Sequence, residues 1–269
     1  MKKFKDLIVL KIGGSICTHK QNNQLKIREN ILRQIAKEIK KAKSEKEFNL
    51  IIVHGAGPFG HKLVEKYGIK EGLKSKKDVK GFIETHASME RLNKKIMEIF
   101  LNAGLNVLPV QTSALIQQKN KKLKTFYLDT LENLMSIDVS IIPLLYGDMV
   151  FDFNKKATVV SGDVSAAFLA KKLKAKKLIY GTNVPGILDY SSNDQKIIKK
   201  ISNTNLYSVL KQIKATKTSD VTGSMNGKIL RIKEHAKGVK TFVYDMGQEG
   251  NTYKVLTKKK LICTEIYFK

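Results

Sequence analysis

Apolar residues gather in short runs at Leu7 to Ile12, Leu50 to Val53, Val107 to Val110, Val139 to Leu145, Leu178 to Tyr180 and Thr241 to Tyr244. Runs of this length, rich in Ile, Val and Leu, predict strands, and their continuity predicts burial on both faces. Between them the period changes. Ile27, Ile31, Ile35 and Ile39 recur at every fourth position, and helical patterns follow over Phe82 to Phe100, Ser165 to Leu173 and Met225 to Ala236. One face of such a helix meets a core and the other meets water. Strands alternating with helices need crossover connections, so the pattern predicts an α/β fold with a mostly parallel central sheet covered on both faces. The polar turn Asp152 to Lys156 (DFNKK), between two apolar runs, is the best internal division and separates 1–152 from 153–269. No Pro/Gly/Ser-rich linker accompanies it, so the halves are expected to share one sheet within a single domain.

The 269 residues, 42% of them hydrophobic, suffice for one large core. No apolar run reaches the ~18 residues of a membrane span. The basic N-terminus MKKFKDLIVLKIGG has only a short apolar stretch broken by Lys11, so neither a span nor a signal peptide is expected. Cys17 and Cys263 stand far apart without C-x-x-C spacing, which argues against a disulfide framework or a zinc site and suits a reducing cytoplasm. The formal charge is +26, and its lysines recur in almost every segment (KKAKSEKE, QKNKKLK, TKKK) instead of collecting on one aromatic-interleaved element. The charge therefore reads as a solvated surface with no nucleic-acid partner, although its positive field favours phosphorylated small molecules.

Candidate chemistry sits in glycine-rich turns. LKIGGS (Leu10 to Ser15) ends the first predicted strand and HGAGPFGH (His54 to His61) the second, while SGD (Ser161 to Asp163) and GSMNGK (Gly223 to Lys228) each lead into a helix. Glycine lets backbone N–H groups close on anionic oxygens, and a helix N-terminus adds a favourable field. Together these turns predict a polyphosphate site at the carboxyl ends of the strands. Two familiar phosphate loops fit poorly. HGAGPFGH contains G-x-G-x-x-G, but the acidic residue that a dinucleotide loop needs ~20 positions on would be Asp78 in the polar GLKSKKDVKG, which does not resemble a strand end. GSMNGKI has one residue too few between its glycines for a P-loop, and Ile229 stands where Ser or Thr is required. Lys228 is then either a point charge for a phosphate or one surface lysine among many. His54, ending an apolar strand, reads as structural, whereas His61 lies just beyond the glycines on the expected phosphate path.

LKIGGS, HGAGPFGH, PLLYGDMVFD, VVSGDVSAAFLA with YGTNVPGIL, and DVTGSMNGKI follow one another from about Leu7 to the C-terminus. This ordered set resembles the amino acid kinase superfamily and, within it, the isopentenyl phosphate kinase branch. Three features suggest the branch: Lys11 and Lys20 in LKIGGSICTHK, which resembles its K-x-G-G-S…T-x-K opening; His61 closing the second loop; and GFIETHASMERLN, on which Phe82, His86 and Met89 share a helix face that would line an apolar tail pocket. Those three residues are equally readable as core residues and a satisfied histidine, and Lys20 as a solvated charge.

The resemblance implies a three-layer αβα sandwich with an N-terminal acceptor half, a C-terminal ATP half and a homodimeric assembly. It implies transfer of the γ-phosphoryl group of ATP to isopentenyl phosphate, with Mg²⁺ held largely by the ATP phosphates and water. In that scheme Lys11, His61, Asp163 and Lys228 are catalytic, His61 donating to the acceptor phosphate and Asp163 orienting the two lysines. Lys20, Gly55, Ala56, Gly57, Gly60 and Gly162 serve the acceptor together with Phe82, His86 and Met89, the amides from Gly55 to Gly57 cradling its phosphate. Gly13, Gly14, Ser15, Tyr180, Gly181, Thr182, Gly186, Gly223 and Gly227 serve ATP beside Lys228. Asp148 and Asp152 of YGDMVFD are expected to build a turn and not a metal site. The chain departs from the branch pattern at Thr112, Val164, Ser224 and Cys263, of which Thr112 bears most on the acceptor because its loop is expected to face it. The alternatives are a kinase of another phosphate or phosphonate, of the fosfomycin-kinase type, a non-catalytic ligand sensor, or a basic nucleic-acid-binding protein.

Overall fold

The computed structural model describes Phe4 and residues 6–19, 25–191, 196–214 and 223–269, and Lys20 lies outside them. The strands among these residues are β1 (Ile8–Ile12), β2 (Leu50–His54), β3 (Val107–Pro109), β4 (Ile116–Lys119), β5 (Lys122–Phe126), β6 (Ile142–Tyr146), β7 (Asp148–Asp152), β8 (Lys156–Val160), β9 (Lys177–Thr182), β10 (Lys200–Ile201), β11 (Thr241–Asp245) and β12 (Thr264–Ile266). The helices are α1 (Gly14–Cys17), α2 (Glu29–Glu45), α3 (Pro58–Tyr67), α4 (Lys76–Asn102), α5 (Thr112–Leu115), α6 (Asp129–Ile137), α7 (Gly162–Lys172), α8 (Leu206–Lys214), α9 (Gly223–His235) and α10 (Asn251–Thr257). The central sheet has the order β10-β12-β11-β9-β1-β2-β6-β3. From β11 to β3 all neighbours run parallel, and only β12 meets β11 antiparallel.

This is the predicted α/β architecture, and β1 shows how its two cores are divided. Ile8, Leu10 and Ile12 enter the core that α2, α4 and α10 cover, while Val9 enters the one that α7 and α9 cover. Successive strand side chains point to opposite faces, so Lys11 shares the face of Val9 and is aimed at α7 and α9. α7 carries Ala166, Ala167 and Ala170 fully buried, small side chains that let its backbone sit close on the sheet. Tyr180 stands opposite Lys11 in the β1–β9 register and points to the same face.

Local chemistry fixes the ends of the elements around the site. α3 starts with Pro58 in its first turn and stops at Gly68, whose φ of 66° is left-handed. α4 begins with a capping box in which the Ser75 hydroxyl accepts from the Asp78 N–H and the Asp78 carboxylate accepts from the Ser75 N–H. Asp78, tested above as a dinucleotide contact, is thus a helix cap. The expected strand from Val139 begins only at Ile142, because the Asp138 side chain accepts from the Ser140 N–H and turns the chain first.

A smaller sheet, ordered β5-β4-β7-β8, stands beside the central one. Asp152 ties it together: its carboxylate accepts the N–H groups of Asn120, Lys121, Asn154 and Lys155 and the hydroxyl of Thr158. That matches the turn-building role expected of it. The division after Asp152 falls in the β7–β8 turn, so residues on both sides of it build this sheet. Among the described residues no helix is long and apolar enough to cross a membrane.

Candidate active site

The carboxyl ends of β1, β2, β6 and β9 converge, and glycine permits it. A Cβ on Gly14 would stand 2.6 Å from the Gly57 nitrogen, one on Gly55 2.7 Å from the Gly14 nitrogen, one on Gly162 2.9 Å from the His54 oxygen and one on Gly13 2.8 Å from the Gly181 oxygen. The loops therefore pack backbone against backbone. Gly57 has a φ of +52°, and a Cβ there would fall 2.2 Å from Thr18 Oγ1. This corrects part of the expected phosphate cradle. The Gly55 N–H donates to the Ile12 carbonyl at 2.9 Å and the Gly13 N–H to the Gly181 carbonyl at 2.9 Å, because the sheet's bonding continues past the strand ends. Ala56 and Gly57 are left as the donors of the second loop.

The loops enclose a buried charge cluster. Lys11 Nζ lies 2.8 Å from Asp163 Oδ1 and Lys228 Nζ 2.7 Å from Asp163 Oδ2, all three residues being buried. Lys11 comes from the strand register, Asp163 from the first turn of α7, and Lys228 from the first half of α9. Lys11 Nζ also lies 3.4 Å from the place of a Cβ on Gly55, which puts it against the second glycine loop. Burial pushes the Asp163 carboxyl up, but the Lys11 and Lys228 charges outweigh it and hold the group well below the usual carboxylate range. Burial, assisted by the charge of Lys11, lowers Lys228 to about 8 in spite of Asp163. Two ammonium groups answered by one carboxylate in a water-poor pocket leave an excess of positive charge, and an anion relieves it.

Sequence reasoning missed the support of this cluster. Arg231 Nη1 lies 3.8 Å from Asp163 Oδ2, three residues beyond Lys228 and so on the same face of α9; that spacing was the available signal. Tyr180, expected to contact ATP, is fully buried: its hydroxyl donates to the Asp163 carbonyl at 2.9 Å and its ring centroid lies 4.6 Å from Lys228 Nζ. It holds the lysine and the helix start. Thr182 turns inward too, its hydroxyl bonded to the carbonyls of Val184 and Tyr244. Gly181 makes room for Met246 and Gly186 for Thr264, so these members of the expected ATP set shape the loop and do not line it with side chains. Ser15 Oγ donates to Asn183 Oδ1 at 3.3 Å and joins the first loop to the β9 loop. Gly223 opens α9, and Gly227 lies beside the Arg231 guanidinium.

On the acceptor side His54 is structural as expected. It is fully buried, its ring nitrogens 3.1 Å from Asn93 Oδ1 and from the Gly55 carbonyl, stacked on Tyr146, and lowered by burial to about 4. His61 is exposed in the first turn of α3, its N–H donating to the Gly57 carbonyl. Gly60 packs on Ala56 and Met89 Sδ, so Met89 backs the loop. The face shared by Phe82, His86 and Met89 is not one apolar lining. Met89 belongs to the large core, Phe82 packs on a satellite of Ile69, Met149 and Ala157, and His86 between them is taken by polar partners. Its Nδ1 lies 2.7 Å from Asp148 Oδ2 and its Nε2 2.9 Å from Gln111 Nε2. Asp148 thus does more than build a turn. Thr112 is buried, bonded through Oγ1 to both backbone groups of Tyr146 at 2.6 and 3.1 Å, so it anchors β6 and does not face an acceptor. Among the described residues no three His, Cys, Asp or Glu side chains converge as a metal site.

The family model of the amino acid kinase family matches residues 6–245. The chain is 34% identical over 257 residues to isopentenyl phosphate kinase of Methanocaldococcus jannaschii, covering 93% of this chain and 95% of that protein. It is 28% identical to isopentenyl phosphate kinase of Methanothermobacter thermautotrophicus, covering 97% and 98%. A solved isopentenyl phosphate kinase structure superposes with a TM-score of 0.82 at 26% identity, over 97% of this chain and 99% of that one.

Proposed function

The chain belongs to the amino acid kinase family and is related along nearly its whole length to isopentenyl phosphate kinases, and from that premise we propose that it transfers the γ-phosphoryl group of ATP to isopentenyl phosphate. The products are isopentenyl diphosphate and ADP. The observation that carries the reading is the Lys11–Asp163–Lys228 cluster, where one buried carboxylate holds two ammonium groups, that of Lys11 against the second glycine loop.

An ionised phosphate is already a nucleophile, so the reaction needs positioning and charge neutralisation more than a base. The transferring phosphoryl group sits between the Lys11 and Lys228 ammonium groups, which offset the charge that two approaching phosphates bring together. His61 donates a hydrogen bond to the acceptor phosphate in line with the attack, and the amides of Ala56 and Gly57 complete that side. Both oxygens of Asp163 are occupied by lysines, so it is a positioning carboxylate and not a proton acceptor. The same occupancy fits a Mg²⁺ ion that arrives on the ATP phosphates, where it neutralises their charge when bound. The acceptor half is residues 1–152 and the ATP half 153–269. The setting proposed is a homodimer in the cytoplasm, for which the exposed Val79 and Ile83 on α4 offer an apolar face to a second copy.

ADP release with Mg-ATP, measured across isopentenyl phosphate, dimethylallyl phosphate, fosfomycin, uridine monophosphate and acidic amino acids, tests the reading. Selective turnover of isopentenyl phosphate is expected, with a loss of about 10²–10³ in kcat for His61→Ala and an unchanged unfolding midpoint. A panel without turnover, or a full rate in His61→Ala, overturns the acceptor or the histidine respectively.

A further inference from the structure

The opposite pole of the sheet carries a second concentration of positive charge. Where β1 and β9 begin, Lys46, Lys176, Lys177 and Lys258 surround a small cleft whose walls include Phe48 and Leu256. One carboxylate, Asp6, lines it with them. Its Oδ2 lies 2.7 Å from Lys46 Nζ, and its Oδ1 accepts from Lys176 Nζ. Lys177 is buried and its Nζ reaches a neutral acceptor, the Val255 carbonyl, at 2.9 Å. Among the described residues neither Lys177 nor Lys258 has a carboxylate within ion-pair distance, so one negative charge answers four positive ones.

A chain of net charge +26 scatters lysines over its surface, and a scattered lysine swings freely into water. These are held. Lys46 and Lys176 are fixed by the two oxygens of one carboxylate, and Lys177 is fixed by burial and a carbonyl. Asp6 and Lys258 hold left-handed backbone conformations, with φ of 44° and 63°, that side chains disfavour, and such geometry persists where the surroundings over-determine it. Burial, then the charges of Lys258, Lys46 and Lys176, lower Lys177 to about 8. The missing element is an anion.

We propose that this cleft is a second anion site, separate from the active site, that takes the phosphate or diphosphate group of a small molecule between Lys46, Lys177 and Lys258. Lys177 lies inside the cleft, where a terminal phosphate reaches it and the backbone of a nucleic-acid duplex does not. β1 and β9 both run from this cleft to the catalytic loops, about 13 Å away along the strand, so an occupant sits on the same rigid elements that carry Lys11 and Tyr180.

Calorimetric titration with inorganic diphosphate, at about 0.15 M salt to screen the general surface charge, tests the site. The comparison is between the wild-type chain, Lys46→Ala with Lys258→Ala, and Lys37→Ala with Lys94→Ala, which removes the same charge elsewhere. All four lysines are exposed, so both variants are expected to keep the fold. Wild type and control are expected to bind two diphosphates per chain, one at each pole, and the cleft variant one, its second class weakened at least tenfold. Equal binding by wild type and cleft variant, or an equal loss in the control, overturns the proposal. Displacement of the cleft class by a short DNA duplex would instead reassign the surface to nucleic acid and overturn the small-molecule assignment. The comparison does not depend on turnover, so it stands apart from failure of the kinase reading.

Discussion

Replacing Asp163 by asparagine keeps the size of the side chain, removes its charge, and leaves Lys11 and Lys228 facing each other without the carboxylate that lies 2.8 and 2.7 Å from them. Removing one partner of a buried ion pair costs about 3–5 kcal/mol, because the remaining charge is uncompensated. Two ammonium groups are stranded here, but one of them has an escape. Lys228 is already down at about 8, and losing the group that raised it lowers it further, so near neutrality the variant sheds that proton. The expected cost at pH 7 is therefore at the lower end, about 3 kcal/mol, and it shrinks toward pH 9. In the folded variant Lys228 binds fewer protons than in the unfolded chain, where a lysine titrates near ~10.4. Stability rises with pH wherever the unfolded state binds more protons. Urea unfolding of both proteins at pH 7 and pH 9 measures this directly. Turnover is expected to fall at least ~100-fold at both pH values, since both lysines lose their direction and Lys228 its charge. A stability loss below about 1 kcal/mol at pH 7, within the range of ordinary surface substitutions, or a kcat within a few-fold of wild type, would refute the argument that this carboxylate holds the site.

The Arg231 guanidinium, 3.8 Å from Asp163 Oδ2 and partly exposed, adds its charge to the side proposed for ATP, so Arg231→Ala is expected to raise the KM for ATP about tenfold with an unchanged urea midpoint; Arg231→Lys should recover part of it, because the charge returns without the planar fork. Asp148→Asn is expected to lower the NMR titration midpoint of His86, since the bond to Asp148 is what raises that imidazole above its ordinary value. The stability this pair brings is complete below the unfolded histidine pKa, near ~6.5, and is lost as pH rises through the folded value, so the variant's deficit in urea unfolding should be larger at pH 6 than at pH 9. Gly57→Ala forces a methyl group to 2.2 Å from Thr18 Oγ1 at a positive-φ, extended conformation (φ 52°, ψ −151°) that side chains disfavour; about 1–3 kcal/mol of destabilisation is expected from the backbone alone, and an unfolding curve identical to wild type would show that the loop relaxes freely.

How much of this was legible in the sequence depends on the element. The parallel core was, because β1, β2 and β6 are largely apolar runs and the helices between them repeat at 3.6 residues. The outer half of the small sheet was not: β4 and β5 lie in IQQKNKKLKTF, with lysines at their paired ends, and no apolar alternation marks an edge hairpin that leans on its neighbours for burial. Lys11 carried its own signal, since a charge inside a strand buried on both faces demands a partner. Its partner was named only through the family resemblance and not by any local pattern, because Asp163 and Lys228 reach it only through the order of the strands. His86 was correctly placed on a helix face with Phe82 and Met89, yet helical spacing fixes where side chains leave the backbone and not what they meet. A buried carboxylate at the start of β7, 62 residues away, decides that.

The glycines show the same limit from the other side. A glycine that lets an anion approach and one that lets another loop approach look alike in the sequence, and here the second use comes first. At Gly55 the two coincide: its N–H is spent on Ile12, and the space of its missing Cβ is bordered by the Gly14 nitrogen at 2.7 Å and the Lys11 ammonium at 3.4 Å. A side chain there would push the two glycine loops apart and crowd the lysine that faces Asp163. In the function proposed here the residue serves the reaction without touching a phosphate, by allowing the strand that carries Lys11 and the loop that leads to His61 to stand close together.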